Sequence, residues 1–287
     1  MPDFSNILLA TDLDGTFFGS HATMVERNLE AVAYFKAHGG HFIAATGRVC
    51  PNIARVIPNA GELFNAPCVT SNGAYIYDFL RGEVLRTTRM DAQKLKALVL
   101  EVEAFNPNIG MRVSTDKGFL VDANRLNDMM LSEVNSKHFV GEVIPAEAWD
   151  TQSAEWYKMV LRASFEELCQ AREVLYPAYA DYFEFCSSSP TLFEMQAKGC
   201  TKWGGVTYVA HLLSQKLGHP LTIVTIGDQE NDLPMLAGAH ISACPENALD
   251  VVKATAKLQL CHHTQGAVAE LIEYLKEYEG DAEGKLP

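Results

Sequence analysis

Ile7-Leu8-Leu9-Ala10-Thr11-Asp12-Leu13-Asp14-Gly15-Thr16 is the stretch on which the reading of this chain turns. A short apolar run predicts a buried strand. It ends on two carboxylates two residues apart. A strand followed by D-x-D-G-T can hold a magnesium ion against a nucleophilic aspartate. The plainer reading is an Asp-rich turn built around a glycine, which is common. A calcium loop fails on spacing. An EF-hand starting at Asp12 wants Gly at position 17 and Glu at position 23, and the chain has Phe17 and Thr23.

Outward from this stretch the first third alternates strand and helix signals. Residues 4–11 predict a strand. Residues 23–38 place Val25, Leu29, Val32 and Phe35 at helical spacing and stop at Gly39-Gly40. Residues 41–45 predict a second strand, followed by Thr46-Gly47-Arg48. A short helix over 52–57 ends at Pro58. Residues 66–71 predict a third strand, and Asn72-Gly73 a turn into 74–77. This order suggests a parallel sheet with helices on its faces.

The middle differs. Helices are predicted over 91–105, 126–134 and 165–175. Strands are predicted over 156–163 and 182–187, with a hairpin of 111–115 and 119–122 around Asp116-Lys117-Gly118. Hairpins mixed with helices suggest a separate α+β unit with an antiparallel sheet. The last third returns to α/β order. Strands are expected at 192–196, 221–226 and 241–243, and helices at 203–217, 232–237, 248–255 and 267–278. The expected division is a core over 1–86 and 189–287, interrupted by an inserted α+β domain over 87–188.

Composition bounds the function. The 287 residues suit two domains, and 48% hydrophobic with 21% charged residues describes an ordinary globular protein. A net charge of -13 argues against nucleic acid as the partner. It leaves room for small phosphorylated substrates, since a metal and a few cations reverse the sign locally. Seven scattered cysteines without a C-x-x-C pair predict reduced thiols in a cytoplasmic protein. Cys261-His262-His263 carries little weight as a metal site, because neighbouring strand residues point to opposite faces. No secretory signal and no membrane span are expected. Monomer and homodimer both stay open.

The polar features that could do chemistry sit at predicted strand ends. Asp12 and Asp14 follow the first strand, Thr46 the second, and Asp228 the strand over 221–226, while Lys202 stands just ahead of a helix. In open parallel sheets ligands bind beyond the carboxyl ends of the strands, so these segments can meet in one cleft. The chemistry they permit is phosphoryl transfer through an aspartyl phosphate. A dianionic substrate repels a carboxylate, so a cation must lie between them. Magnesium held by Asp12, Asp228 and the main-chain carbonyl of Asp14 would serve. Thr46 can donate its hydroxyl and Gly47 its N–H to phosphate oxygens. Lys202 adds a positive charge at a helix start, and Asp14 is suited to protonate the leaving alcohol and then activate water.

Asp12-Leu13-Asp14-Gly15-Thr16, Ala45-Thr46-Gly47-Arg48, Lys198-Gly199-Cys200-Thr201-Lys202 and Gly227-Asp228-Gln229-Glu230-Asn231-Asp232 resemble the four motifs of the haloacid dehalogenase (HAD) superfamily. Ser71-Asn72-Gly73-Ala74 and Pro245-Glu246-Asn247-Ala248 narrow the resemblance to subfamily IIB, the Cof-type phosphatases. The resemblance implies a HAD-like Rossmannoid parallel-sheet core with an inserted α+β cap. It also implies Mg2+-dependent hydrolysis of small phosphate monoesters, often sugar phosphates. Carried over, Asp12 is the nucleophile and Asp14 the acid and base. Leu13 (main-chain amide), Thr46, Gly47, Lys202 and Asn231 bind phosphate. Asp228 is the distal metal ligand, and Asp232 supports the metal's water shell or Lys202.

Several residues carry two readings. Lys198 is a rim or structural charge beside Lys202. Trp203 stands where the family has Gly, and its indole would narrow the cleft or pack under the cap. Arg48 would clamp substrate or pair with a core carboxylate. Glu194 would touch substrate or brace the hinge. His21 reads as solvated, and Trp149 and Trp156 as pocket walls or, more commonly, core. The competing functions are a phosphomutase of the phosphomannomutase type, a response-regulator switch, and a non-catalytic HAD-fold binding module.

Overall fold

The structure is a computed structural model that describes residues 2–150 and 155–277. Strand β1 (Ile7–Thr11) is buried at every position. Such a strand has no polar side to offer water, so it needs cover on both faces and sits inside a parallel sheet. β2 (His41–Ala44) pairs with it in parallel. A single parallel bridge, Ala45 to Val69, carries the order on to β3 (Cys68–Thr70). β4 (Tyr75–Asp78) and β5 (Glu83–Thr87) then fold back antiparallel on β3.

The middle of the chain forms a second sheet from β6 (Gly110–Thr115), β7 (Gly118–Asp122), β8 (Gly141–Ile144), β9 (Lys158–Arg162), β10 (Phe183–Ser189) and β11 (Leu192–Ala197). Its order is β10-β11-β9-β6-β7-β8, antiparallel except between β7 and β8. One face packs on helices Ala92–Phe105 and Phe165–Tyr179 through Leu95, Leu98, Val102, Leu168, Ala171 and Leu175. β12 (Thr222–Ile226), β13 (Ile241–Pro245) and β14 (Leu258–Leu260) return to the first sheet, whose order is β14-β13-β12-β1-β2, all parallel. Helices Glu26–Ala37 and Ala267–Glu277 lie side by side against it, burying Val32, Phe35, Leu271 and Ile272. The α/β fold with a parallel core and an added antiparallel sheet is the one the sequence predicts.

The strand expected at 192–196 departs from the expectation in its partners. Its expected place is in the core, but β11 lies between β10 and β9 in the antiparallel sheet. Only Pro190 and Thr191 separate β10 from β11, and so short a link joins antiparallel neighbours. β5 and β8 have no counterpart in the sequence reading. Every residue of either strand is at least partly exposed, so neither carries the apolar alternation that marks a strand. The helix expected to stop at residue 175 runs on through Pro177 to Tyr179; the proline gives up the bond to the carbonyl four residues back and crowds it, and only two helical residues follow. The last helix is described as far as Glu277, and its expected final residue, Tyr278, lies outside the described residues.

Candidate active site

Parallel pairing sets the site. Thr11 lies opposite Ile226 on one side and Ala44 on the other. Asp12, Asp228 and Thr46 therefore leave three neighbouring strands at the same edge. Asp12 N donates to Ile226 O (2.9 Å) and Ala45 N to Thr11 O (2.8 Å), locking that edge. The turn after Asp12 is closed by Phe18 N donating to Leu13 O (2.9 Å). Gly15 has φ +75°, and a Cβ there would stand 2.5 Å from Asp228 Oδ2. Only glycine lets the turn approach the second aspartate so closely. Gly227 is held likewise, since its Cβ would meet Asp232 Cγ at 2.3 Å.

Lys202 opens helix Lys202–Leu217, whose N-cap Thr201 accepts from Gly204 N (3.1 Å). Its Nζ donates to Asp12 Oδ1 (2.8 Å) and Asp232 Oδ1 (2.7 Å), and all three residues are buried. Asp232 Oδ2 accepts from the main-chain N–H of Asp228 and of Gln229 (2.9 and 3.0 Å). Asp228 accepts from Thr16 Oγ1 (2.6 Å) and Gln229 Nε2 (2.9 Å). Carboxylate oxygens of Asp12, Asp228 and Asp232 lie within 4.8 Å of one another.

Burial pushes the Asp12 carboxyl well above its ordinary range, and Asp232, Asp228 and Asp14 add to this against the pull of Lys202. Burial, with Asp232, raises Asp228 to about 6, against its hydrogen bonds and Lys202. For Lys202 burial works against the charge, but Asp12 and Asp232 outweigh it and hold the ammonium protonated. Three clustered carboxylates share one lysine, so the pocket is over-supplied with negative charge. Its donors are oxygens only, which suits a hard divalent cation such as magnesium.

Asp14 differs from Asp12. Its side chain is 55% exposed and gripped by Arg48, whose Nε and Nη2 each reach a carboxylate oxygen at 2.6 Å. Of the two readings of Arg48, pairing is the one seen, although its partner is the exposed Asp14 and not a core acid. Arg48 also donates to Asn52 Oδ1 (2.5 Å), and Asn52 Nδ2 donates to His138 O (2.7 Å) across the cleft.

Asp12, Asp14, Thr46, Gly47, Arg48 and Asn231 line a cavity of about 430 Å³. Asp228, Asp232 and Lys202 stand behind Asp12, bonded to it or to each other. Leu13 is buried beside them. The opposite wall comes from the antiparallel sheet and includes Arg112, Lys158, Arg162 and Glu194. Sequence reasoning missed the three cations. The available signal was alternation: Met111, Val113, Met159 and Leu161 are apolar and interleave with Arg112, Lys158 and Arg162.

The remaining candidates are placed as follows. Lys198 pairs with Glu184 (3.4 Å) at a half-exposed position, as a rim charge. Trp203 neither narrows the cleft nor lies under the cap; it packs on the core, against Gly238. Trp149 and Trp156 meet edge to face at 6.1 Å inside the second core, and His21 is exposed. Cys261-His262-His263 follows the end of β14 instead of lying in a strand, and the two histidines bond Thr264 and Phe18.

Known proteins resemble this chain in sequence and in fold. The sequence profile of the haloacid dehalogenase-like hydrolases matches residues 9–272. The chain belongs to that family. Among HAD relatives, pyridoxal phosphate phosphatase YbhA of Escherichia coli is 26% identical over 92% of this chain and 97% of its own length. The 5-amino-6-(5-phospho-D-ribitylamino)uracil phosphatase YitU of Bacillus subtilis is 25% identical over 94% and 97%. The HAD fold is shared with a haloacid dehalogenase-like hydrolase from B. subtilis (TM-score 0.80, 20% identity, 93% and 99% covered). It is shared also with the HAD subclass IIB sugar phosphatase BT4131 (TM-score 0.77, 21% identity, 93% and 98% covered), in agreement with the Cof-type, subclass IIB placement read from the motifs. Among the described residues no helix is long and apolar enough to cross a membrane.

Proposed function

We propose that this phosphoric monoester hydrolase is a magnesium-dependent phosphatase of small metabolites, sugar phosphates or related esters, acting through an aspartyl phosphate on Asp12. The observation that carries the reading is the convergence of Asp12, Lys202, Asp228 and Asp232 behind one cavity. Asp12 and Asp228, with the Asp14 carbonyl, would hold the ion, and Asp232 positions Lys202 and the Asp228 loop. When bound, the ion offsets the charge of nucleophile and phosphate alike.

Thr46, Gly47, Asn231, Lys202 and the Leu13 amide grip the ester phosphate. An Asp12 oxygen forms a bond to phosphorus as the bond to the alcohol oxygen breaks, and Asp14 gives that oxygen a proton. Asp14, now a carboxylate, takes a proton from water, whose oxygen attacks the same phosphorus and releases Asp12 and inorganic phosphate. Arg48 grips both Asp14 oxygens and has to release one of them before Asp14 can pass a proton. The antiparallel unit acts as the cap, its second limit moved from residue 188 to the end of β11. Seven unpaired cysteines support a cytoplasmic, reducing location.

The test is Asp12→Asn, assayed for phosphate release with magnesium on a panel of phosphorylated metabolites. The variant should fold and lose turnover by about 10⁴-fold or more. A folded variant that keeps a tenth of the parent activity overturns the assignment.

A further inference from the structure

The cavity wall opposite Asp12 is one face of the antiparallel sheet. Arg112 and Glu194 each lie opposite Val160 on β9, and Lys158 and Arg162 flank Val160 two residues either way. All four side chains therefore share a face. The intervening Met111, Val113, Met159, Leu161 and Met195 fill the apolar core on the other side.

This face holds three cations against Glu133 and Glu194, and the acceptors are already taken. Glu133 serves Arg112 Nε at 2.8 Å, and its other oxygen pairs with Arg162. Glu194 Oε1 accepts from Lys158 (2.9 Å) and Ser188 (2.8 Å), and its Oε2 accepts from Asn72 (2.6 Å). Donors are left over. Among the described residues, Arg112 Nη1 and Arg162 Nε have no hydrogen-bond acceptor, and the Arg112–Glu133 contact lacks hydrogen-bond alignment at Nε. Arg112 is only 6% exposed, and its guanidinium carbon lies 4.1 Å from the centre of the Phe119 ring, which fixes its plane. A buried guanidinium with unmet donors is costly to keep. A hydroxyl-rich neutral ligand would need both donors and acceptors from this wall. The wall offers an excess of donors and charge, in the forked geometry that matches a carboxylate or phosphate.

We propose that this wall is a second anion subsite: the leaving group carries a carboxylate or a second phosphate, bound by Arg112 and Arg162 while the ester phosphate sits at Asp12. The proposal rests on the phosphatase reading of the core site. A cavity of about 430 Å³ suits a small metabolite with two anionic ends.

Binding to full-length Asp12→Asn in magnesium, measured by calorimetry, tests the subsite without turnover. Two matched pairs separate the sources of charge: 6-phosphogluconate against sorbitol 6-phosphate for a carboxylate, and fructose 1,6-bisphosphate against fructose 6-phosphate for a phosphate. The anion-bearing member of at least one pair should bind about tenfold tighter or more, and that pair names the source. Adding Arg162→Gln should bring the ratio to within about threefold of unity. Arg162 is the safer of the two arginines to change, because its side chain is 24% exposed. Ratios near one in both pairs, or a preference that survives Arg162→Gln, overturn the subsite. The phosphatase reading fails separately, if the parent enzyme with magnesium frees no phosphate from any of the four esters.

Discussion

Lys202 in the core and Lys158 in the cap sheet are equally hidden, at 1% and 2% exposed, yet their surroundings push them opposite ways. Burial disfavours both charges. Around Lys202 two carboxylates outweigh it, and the ammonium is held more firmly than in water. Around Lys158 burial wins: one carboxylate, Glu194, opposes it, and Arg112 repels, so the pKa falls below the ordinary lysine value. The difference describes the two walls of the cleft. The core wall has more acid than its lysine can balance and calls for a cation. The cap wall has more base than its acids can balance and calls for an anion.

Removing Lys202 should do the most damage. Lys202→Met keeps the length of the side chain and strips the ammonium from Asp12 and Asp232; Asp232 keeps its two main-chain N–H donors, but neither buried carboxylate keeps its cation. Breaking a buried pair in this way costs about 3–5 kcal/mol. Urea denaturation in chelator measures it. A loss below about 1 kcal/mol would mean that the core wall is not over-acidic, and the comparison would break at its first term.

The second effect follows from Asp228. Its folded pKa of about 6 lies above the unfolded value of 3.8, so its contribution to stability is present below 3.8 and is lost as pH rises through 6. Magnesium binds the deprotonated form, so the stabilisation it confers should grow across that same window. At a hundredfold excess over the Kd of pH 7.5 the gain should reach roughly 5 °C in Tm near pH 7.5 and fall to about half of that at pH 5, where about a tenth of Asp228 is deprotonated. Melting curves with magnesium and with EDTA from pH 5 to 8 check this. A magnesium-induced shift that is flat with pH would remove Asp228 from the ion's ligands.

The two walls also differ in how readable they are. Core chemistry sits in contiguous runs at strand ends, where a few residues such as Asp12-Leu13-Asp14-Gly15-Thr16 are exposed to one site by one turn. Topology then gathers the runs, because neighbouring parallel strands end at the same edge. Lys202 could be separated from Lys198 by its place at a helix start. Cap residues reach the cleft from strand interiors, one side chain in two, and the pairing register brings them together. Arg112 and Arg162 are fifty residues apart, and nothing local to either announces the other. Alternation with apolar neighbours marks them as lying on the face away from the cap's core, but the same pattern marks any half-solvated sheet. The membership of β11 was lost for a similar reason: its apolar content fits either sheet, and only the two-residue link from β10 distinguishes them.

Lys158→Met sharpens the contrast with Lys202→Met. The charge removed is one that burial already disfavours. The acid left behind keeps its hydrogen bonds from Ser188 and Asn72. Burial opposes ionisation of Glu194; in the parent Lys158 does most to offset it and holds the carboxyl below its ordinary range, and in the variant the Ser188 bond and Arg112 remain to do so. The lost ammonium also bonds Gly47 O at 2.8 Å, which ties the cap to the core loop. A cost of about 1–2 kcal/mol is expected, the size of one or two hydrogen bonds. Denaturation under the conditions used for Lys202→Met measures it, and an equal loss from the two variants would erase the difference between the walls.

The smallest effect concerns a pair that joins the walls from outside. Arg172, on helix Phe165–Tyr179, meets Glu230 of the core loop through both oxygens, at 3.0 and 3.3 Å. Glu230 also accepts from Ser187 N at 3.1 Å on β10. Bidentate geometry makes this look like a strong clasp between cap and core. Exposure decides against that: the side chains are 42% and 32% exposed, so water and salt screen the attraction. Arg172→Gln should therefore cost less than about 1 kcal/mol, and less still in roughly 0.5 M salt. Denaturation of parent and variant at low and high salt separates the outcomes. A salt-independent loss of about 3 kcal/mol would place the principal cap–core bond here, and the buried lysines would no longer be the groups that distinguish the two walls.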